Sequence, residues 1–373
     1  MAYVLFSLAA MFFSPPSPQV WAQGLSAYWT LEAFMEAHPE QKEKMTAFSR
    51  RVQEAAIPIP DKDGPASPLR IAIVYPGFEV SDYWQRSVRA FQMRLEELRI
   101  PHTLHILFRQ GSQPEISRED MDQIREILHR DPDYLVYTLT TPEHYKIVER
   151  LLALPRPKIL LQNITTPLRR WDGYHPFLYV GFDHMEGTRL LAEEARSTPG
   201  PYVVLNPHPG YLSEVRGDVF IRLVSGHGPE LRDVFHTGID RRRARLATLD
   251  ALARHPDLIR IYAATTDIAL GAADALLEKG LQNQILLNGW GGGESELQAL
   301  RQGLLSLTVM RMNDDSAVAM AEAIALDARG LGSQVPRIYS GDMVLVNAAM
   351  SEETIAAMAR RAFRYSGLPG DRP

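Results

Sequence analysis

The sequence has 373 residues, a formal net charge of −5 and a pI near 6.1. This balance gives no general attraction to nucleic acid or to anionic lipid, and the length suggests about two domains. Hydrophobic residues make up 45% of the chain, which is enough for buried cores and excludes a wholly disordered protein. The chain has no cysteine, which excludes disulfides, thiolate catalysis and cysteine-based metal sites.

The N-terminal region, before the first strand, divides into two parts. Residues 1–22 are typical of a secretory signal peptide, because an apolar run too short to span a bilayer precedes the small-x-small pattern Val20-Trp21-Ala22. No basic residue opens this run, and a buried helix is the alternative. Residues 23–68 are predicted to form a helical arm that ends in the proline-rich linker Pro58–Pro68. We expect an exported chain with no membrane insertion after signal cleavage.

The first strand is predicted at Ile71–Tyr75. A Pro76-Gly77 break follows it, and the next helix is expected to open at Ser81, a candidate N-cap. Ligands of open α/β sheets bind beyond the carboxyl ends of the strands. The loop Gly77–Trp84 is therefore expected to offer binding groups.

From this strand onward, strand-like and helical patterns alternate. This rhythm indicates α/β architecture with doubly wound parallel sheets and helices on both faces. About ten strands are awkward for one twisted sheet, so we predict two similar lobes joined by a three-segment hinge. The lobes are expected at residues 69–180 with 312–341, and at residues 181–311 with 342–373. A cleft between such lobes is a natural site for a small molecule.

Common enzyme signatures are missing from the sequence. Gly289-Trp-Gly-Gly-Gly293 is glycine-rich, but Glu294 stands where a dinucleotide fingerprint needs its last glycine. No Walker A sequence, no Gly-x-Ser-x-Gly elbow and no His-Glu-x-x-His motif occurs. The eleven histidines are scattered, and we expect no metal site.

Polar and aromatic side chains follow several of the predicted strands. Because the carboxyl ends of parallel strands meet at one edge of a sheet, these side chains should lie close together. Each also has a simpler explanation, which is a helix cap for the aspartate, core packing for the tryptophans and surface charge for the arginines. Their joint placement nevertheless favours a polyol or sugar-like ligand. The strand-end residues are Asn163, Thr266, Asp267, Trp290 and Arg311, and Arg216 opens a predicted helix at Ser213–Val224.

Six sequence blocks lie in order along nearly the whole chain. They are Tyr75-Pro-Gly-Phe-Glu-Val-Ser-Asp-Tyr-Trp84, Leu161-Gln-Asn-Ile-Thr-Thr-Pro167, Leu178-Tyr-Val-Gly-Phe-Asp-His184, Val215-Arg-Gly-Asp218, Asn288-Gly-Trp-Gly-Gly-Gly293 and Thr308-Val-Met-Arg-Met-Asn-Asp-Asp315. Together they resemble the LuxP-like autoinducer-2 receptors, which belong to the type I periplasmic binding proteins. The resemblance runs from about Tyr28 to Ser366. It implies a periplasmic binding protein that carries out no chemistry.

The resemblance also implies a set of ligand contacts. They would be Ser81, Trp84, Asn163, Arg216, Thr266, Trp290 and Arg311, with Asp267 adjacent and similar to an aspartate that binds sugar hydroxyls in the wider superfamily. The ligand of this family is a furanosyl borate diester, an anion in which boron is part of the ligand, and no cofactor is implied. Two arginines suit an anion, because each charge-assisted hydrogen bond contributes roughly 1.5–3 kcal/mol.

Glu79 departs from the family pattern, which has a glutamine beside the ligand. An ionised glutamate cannot donate a hydrogen bond, and it repels a borate anion unless it is protonated or paired with an arginine. A side chain that points to solvent is the alternative. This departure leaves open whether the ligand carries boron.

The function implied by the resemblance is reception of autoinducer-2 in the interlobe cleft. Ligand binding would shift an open–closed equilibrium and would be relayed to a LuxQ-like membrane sensor histidine kinase. The alternative is a ribose-like sugar-binding carrier of an ABC transporter, which has the same fold. A third hypothesis is an enzyme that uses Asp267 and Glu79 as a carboxylate pair, and we disfavour it.

Overall fold

The computed structural model describes residues 25–77, 81–109, 117–139 and 142–367. The predicted signal peptide at residues 1–22 and the proposed contact Glu79 lie outside these ranges. The strands are β1 (Leu69–Pro76), β2 (His102–Arg109), β3 (Tyr134–Thr138), β4 (Lys158–Gln162), β5 (Leu178–Phe182), β6 (Gly200–Asn206), β7 (Pro229–His236), β8 (Arg260–Ala263), β9 (Leu286–Gly291), β10 (Leu307–Arg311), β11 (Ile338–Gly341) and β12 (Met343–Asn347). The longer helices are α1 (Leu31–Ala37), α2 (Pro39–Gln53), α3 (Tyr83–Glu97), α4 (Arg118–His129), α5 (Pro142–Leu152), α6 (His184–Ser197), α7 (Val219–Val224), α8 (Arg241–Arg254), α9 (Thr266–Lys279), α10 (Glu294–Arg301), α11 (Asn313–Ala328) and α12 (Glu352–Ala362).

These strands form two six-stranded sheets. The first has the order β11-β5-β4-β3-β1-β2, and the second has the order β12-β10-β9-β8-β6-β7. All pairs are parallel except β10 with β12. The two doubly wound α/β lobes expected from the alternating pattern are therefore confirmed.

The alternation of side chains along β1 shows how each sheet is covered on both faces. Ile71 and Ile73 point into one core cluster, whereas Ala72 and Val74 point into the cluster on the opposite face. Helix α3 contributes its apolar stripe, which includes Phe91, to the first of these clusters. Burial of each of the isoleucine, valine and phenylalanine side chains contributes about 1.5–3 kcal/mol.

Gly77, directly after β1, marks a close approach of two backbone segments. A Cβ atom at this position would lie 2.4 Å from the carbonyl oxygen of Arg109 at the end of β2. Only glycine fits here without moving the neighbouring strand. The close approach of β1 and β2 at this point therefore requires glycine at position 77.

Three connections join the lobes, and each is a single residue between two regular elements. Asp183 lies between β5 and α6, Met312 between β10 and α11, and Asp342 between β11 and β12. The backbone nitrogen of Met312 donates to the carbonyl oxygen of Asp342 at 2.9 Å, and that of Asp183 donates to Ser340 Oγ at 3.1 Å. These two hydrogen bonds therefore tie the first and second connections to the segment around the third connection.

The arm before the first strand packs on the first lobe. Phe34 of α1 joins one core cluster of that lobe, and Phe48 and Val52 of α2 join the other. The chain also returns to this lobe at its far end. The backbone nitrogens of Tyr365 and Ser366 each donate to Asp314 Oδ2 at 2.7 Å.

Three features differ from the expectations. Strand β11 and helices α10 and α12 were not predicted. Strand β11 gives a weak signal, because it has only four residues and follows Pro336. Strand β12 is antiparallel to β10 because it enters the second sheet from the hinge, where Met343 pairs with Arg311. Helix α3 begins at Tyr83, with Asp82 rather than the expected Ser81 at its N-cap position.

Candidate functional site

A cavity lies between the lobes, beyond the carboxyl ends of the strands. It is partly open to solvent, and residues of both lobes line it. Its lining consists of Ser81, Tyr83, Trp84, Asn163, Leu212, Arg216, Ile239, Thr265, Thr266, Asp267, Trp290 and Arg311. The structure thus brings together eight of the nine residues singled out from the sequence, and the ninth, Glu79, lies outside the described ranges.

Arg216 reaches the cavity from a π-helical turn at Glu214–Asp218, which precedes α7. It does not open a helix as expected, but lies in the middle of this turn. Backbone carbonyls displaced by the wider turn accept side-chain hydroxyl groups. Thr188 Oγ1 donates to the carbonyl oxygen of Val215 at 2.9 Å, and the Tyr262 hydroxyl donates to that of Arg216 at 2.8 Å. Such turns recur at functional sites.

The guanidinium group of Arg216 is held on three sides. Its Nη1 donates to the carbonyl oxygen of Ala264 at 2.8 Å, and its Nη2 lies 3.2 Å from His184 Nδ1. Its central carbon lies 3.9 Å from the ring centroid of Trp290. The residue is only 3% exposed, so it is not a surface charge.

Arg311, the last residue of β10, reaches the cavity from the hinge side. It is 6% exposed, and its guanidinium carbon lies 4.2 Å from the ring centroid of Tyr83 in the other lobe. Its Nε has no hydrogen-bond partner within the described ranges. A buried cation with unused donors is costly in free energy unless a ligand supplies acceptors.

Burial and the two neighbouring arginines favour the uncharged form of His184. Burial, followed by the charge of Arg216, lowers the pKa of His184 well below its usual value, and Arg311 lowers it further. The imidazole is therefore neutral near pH 7. The cavity wall thus carries two guanidinium charges without a third from the histidine.

Asn163, just after β4, adopts the left-handed conformation with φ of 65°. Its backbone nitrogen donates to the carbonyl oxygen of Val180 at 2.8 Å. Its side-chain Oδ1 is buried and has no hydrogen-bond partner among the described residues. An unused buried acceptor on a cavity wall suits a hydroxyl donor of a ligand.

Thr266 and Asp267 enter the cavity at the start of α9. The helix begins at Thr266, and Thr265 caps it by accepting a hydrogen bond from the backbone nitrogen of Ile268 at 3.4 Å. Asp267 is therefore not the cap that the simpler explanation required. Its carboxylate is buried in the first turn, at the cavity wall.

The aromatic lining comes from both lobes. Trp84 packs against Tyr75 with ring centroids 4.7 Å apart, and Trp290 donates from Nε1 to the Tyr262 hydroxyl at 3.1 Å. Both tryptophans are buried, so they belong to the core and line the cavity at once. Ser81 Oγ accepts from the backbone nitrogen of Tyr83 at 3.4 Å.

Part of this site was not singled out from the sequence. Tyr83, Leu212, Ile239 and Thr265 line the cavity, and His184 contacts Arg216 just outside the lining. His184 had a visible signal, because it follows β5 at the same carboxyl edge as the residues that were singled out. The two apolar residues lie in loops of the second lobe, where no pattern distinguishes them.

Contacts across the cleft hold the lobes together in this arrangement. The hydroxyl of Thr166, in the first lobe, donates to the Tyr211 hydroxyl of the second lobe at 2.6 Å.

Across the described residues, no group of three histidine or acidic side chains is placed to hold a metal ion. No helix in this part of the chain is long and apolar enough to cross a membrane.

Several solved structures are similar to this chain, whereas no protein-family model matches its sequence. An ABC transporter periplasmic solute-binding protein from Actinobacillus succinogenes 130z with bound D-allose gives a TM-score of 0.65 at 19% identity, covering 78% of this chain and 99% of that one. A solute-binding protein from Bacillus halodurans C-125 with bound myo-inositol gives 0.66 at 16% identity, covering 80% and 99%. A periplasmic ribose ABC transporter protein from Conexibacter woesei DSM 14684 gives 0.62 at 21% identity, covering 82% and 97%.

These neighbours are transport proteins that bind solutes rather than enzymes, and the first two were solved with a sugar or polyol. None of the three is described as an autoinducer-2 receptor, so that finer assignment stays a prediction. The shared architecture is that of two parallel-sheet lobes around a cleft. The chain has the fold of the type I periplasmic solute-binding proteins.

Proposed function

We propose that this protein is a periplasmic carrier that binds one small polyhydroxylated molecule between its lobes and delivers it to an ABC transporter. The observation that carries this proposal is the cavity between the lobes, whose lining combines aromatic rings with buried polar side chains from both lobes. Aromatic rings suit the apolar faces of such a molecule, and Asn163 and Asp267 offer acceptors for its hydroxyl groups. The N-terminal signal pattern and the periplasmic structural neighbours support the proposed compartment.

A second candidate is the autoinducer-2 receptor that signals through a LuxQ-like sensor kinase. One observation favours it, namely that two buried guanidinium groups face one small cavity. The Asp267 carboxylate on the same wall offsets one of these charges, so a neutral sugar leaves the other without a counter-charge, whereas an anionic borate diester balances it. The structural neighbours with sugars and polyols support the carrier more than the receptor.

Isothermal titration of the mature protein separates the two candidates. The ligands are D-ribose, D-allose, myo-inositol and autoinducer-2, the last with and without borate. For the carrier we expect a sugar or polyol to bind one-to-one, with little heat from autoinducer-2. For the receptor we expect autoinducer-2 to bind, with an affinity that changes when borate is added.

A protein that binds none of these ligands contradicts both candidates. The proposal also requires that no chemistry occurs. Mass spectrometry after long incubation should recover the bound ligand unchanged, and a converted product would favour the enzyme hypothesis instead.

A further inference from the structure

His184 lies where the first hinge connection enters the second lobe. It is the first residue of α6, directly after Asp183, and it is only 1% exposed. Its two ring nitrogens contact different lobes, because Nε2 lies 3.2 Å from the carbonyl oxygen of Asn163 and Nδ1 lies 3.2 Å from Arg216 Nη2. The ring thus links a candidate ligand contact of the first lobe to a candidate ligand contact of the second.

The partners determine the tautomer of this imidazole. A guanidinium group can only donate hydrogen bonds, so Nδ1 must accept from Arg216. A backbone carbonyl can only accept, so Nε2 must carry the proton and donate to Asn163. A neutral imidazole with the proton on Nε2 satisfies both contacts, and a protonated one would place a donor against the guanidinium.

Neighbouring side chains restrict where this ring can turn. The ring centroid of Trp290 lies 5.8 Å from that of His184, and the ring centroid of Tyr211 lies 6.0 Å from it, both in edge-on arrangements. Arg216 packs on the face of the same Trp290 ring. Because both groups pack on the Trp290 ring, a rotation of the imidazole also changes the packing of the guanidinium group.

We propose that His184 is a positioning residue. When the lobes close, the Asn163 carbonyl oxygen accepts a hydrogen bond from Nε2 of His184 and fixes the imidazole ring. The fixed ring then holds the Arg216 guanidinium in the orientation that contacts the ligand. Asn163 and Arg216 belong to different lobes, so opening the cleft separates Asn163 from the ring and frees it to turn. Arg216 then loses one of its supports. This proposal rests on the proposed binding function and deepens it, since ligand affinity depends on a residue outside the cavity lining.

The test compares two substitutions at this position. His184→Leu removes both the donor and the acceptor, whereas His184→Gln keeps one of each. We expect His184→Leu to weaken binding of the titrated ligand about tenfold or more, and His184→Gln to stay within about threefold. Equal losses in both variants would overturn the proposal, because they would assign the residue a packing role.

A double-mutant cycle tests whether His184 acts through Arg216. In an Arg216→Lys background, His184→Leu should weaken binding by less than about threefold, because the group that it positions is already altered. In an Arg311→Lys background, the full loss of about tenfold should remain. The same loss in both backgrounds would overturn the coupling.

A measurement without ligand keeps this proposal separate from the binding function. Selective ¹⁵N labelling of histidine in the full mature chain, with His184 assigned through the His184→Gln variant, reports the tautomer at pH 7. We expect the proton on Nε2, and a shift toward a tautomer mixture in Arg216→Ala. A proton on Nδ1 would overturn the proposal even where a ligand binds, whereas failure of every ligand to bind would contradict the proposed function alone.

Discussion

The guanidinium carbon of Arg311 lies 4.2 Å from the ring centroid of Tyr83. The two residues come from different lobes, Arg311 from the end of β10 and Tyr83 from the start of α3. Gln162 Nε2 donates to the Tyr83 hydroxyl at 3.1 Å, which fixes the ring in its own lobe. A cation–π contact between buried groups is worth about 2 kcal/mol, so it stabilises the arrangement in which both lobes line the cavity.

Replacing the Tyr83 ring should therefore weaken ligand binding. We expect Tyr83→Leu to reduce affinity about tenfold, because the contact with Arg311 disappears. The matched control is Tyr83→Phe, which keeps the ring and loses only the hydroxyl, and its affinity should fall by less than about fivefold. Equal affinities of the leucine variant and the wild type in titration calorimetry would contradict this interpretation.

Gly187 in α6 leaves room for the Trp290 ring. A Cβ atom at this position would lie 2.4 Å from Trp290 Cη2. Gly187→Ala should displace the indole and with it the support of Arg216, at a cost of about 1–3 kcal/mol in stability. The control is Gly64→Ala, where the nearest atom is 3.5 Å away and little change is expected. Thermal melts and titrations of both variants check this, and a wild-type-like Gly187→Ala would count against it.

The hydrogen bond between Thr166 and Tyr211 should contribute to closure of the cleft. Tyr211→Phe removes this 2.6 Å contact while keeping the ring. A hydrogen bond of this kind contributes about 0.5–1.5 kcal/mol. Since RT is about 0.6 kcal/mol, we expect the affinity to fall about two- to twelvefold. Small-angle scattering of the unliganded variant should show a larger radius of gyration than the wild type. Identical scattering and affinity would mean that this bond does not influence closure.

Asp218 should make stability depend on pH. Burial, together with the nearby carboxylate of Glu214, raises the pKa of Asp218 to about 7, whereas an unfolded aspartate titrates near 3.9. Between these two values the folded state holds more protons, so stability is greatest at low pH and is lost as pH rises toward 7. Asp218→Asn, which carries no charge, should melt several degrees higher than the wild type at pH 8, with a much smaller difference at pH 4. The same pH slope in both proteins would contradict this assignment.

Much of this architecture could be predicted from the sequence, because strands and helices alternate with clear periodicity. The first strand, predicted at Ile71–Tyr75, lies within the observed strand Leu69–Pro76. The gathering of strand-end residues followed from one rule, that the carboxyl ends of parallel strands share an edge. That rule accounts for five of the eight candidate residues at the cavity, which are Asn163, Thr266, Asp267, Trp290 and Arg311. The other three were named as ligand contacts through the resemblance.

The rest depended on contacts that no local pattern encodes. In the π-helical turn around Arg216, two backbone carbonyl oxygens accept hydrogen bonds from the hydroxyl groups of Thr188 and Tyr262, which are distant in sequence. His184 was not singled out from the sequence, since its two partners become neighbours only when both lobes are in place. The direction of β12 was likewise decided by the point at which the chain re-enters the second sheet.

The central claim is that two guanidinium groups bind one small molecule between the lobes. The most direct test measures ligand affinity and melting temperature of Arg216→Ala and Arg311→Ala beside the wild type, with the exposed Arg242→Ala as control. We expect affinity to fall at least tenfold in both cavity variants, since each loses a charge-assisted hydrogen bond worth about 1.5–3 kcal/mol, while the melting temperature of Arg311→Ala stays close to that of the wild type. Undiminished affinity, or an Arg311→Ala variant that no longer folds, would contradict a direct role of these two arginines in ligand binding.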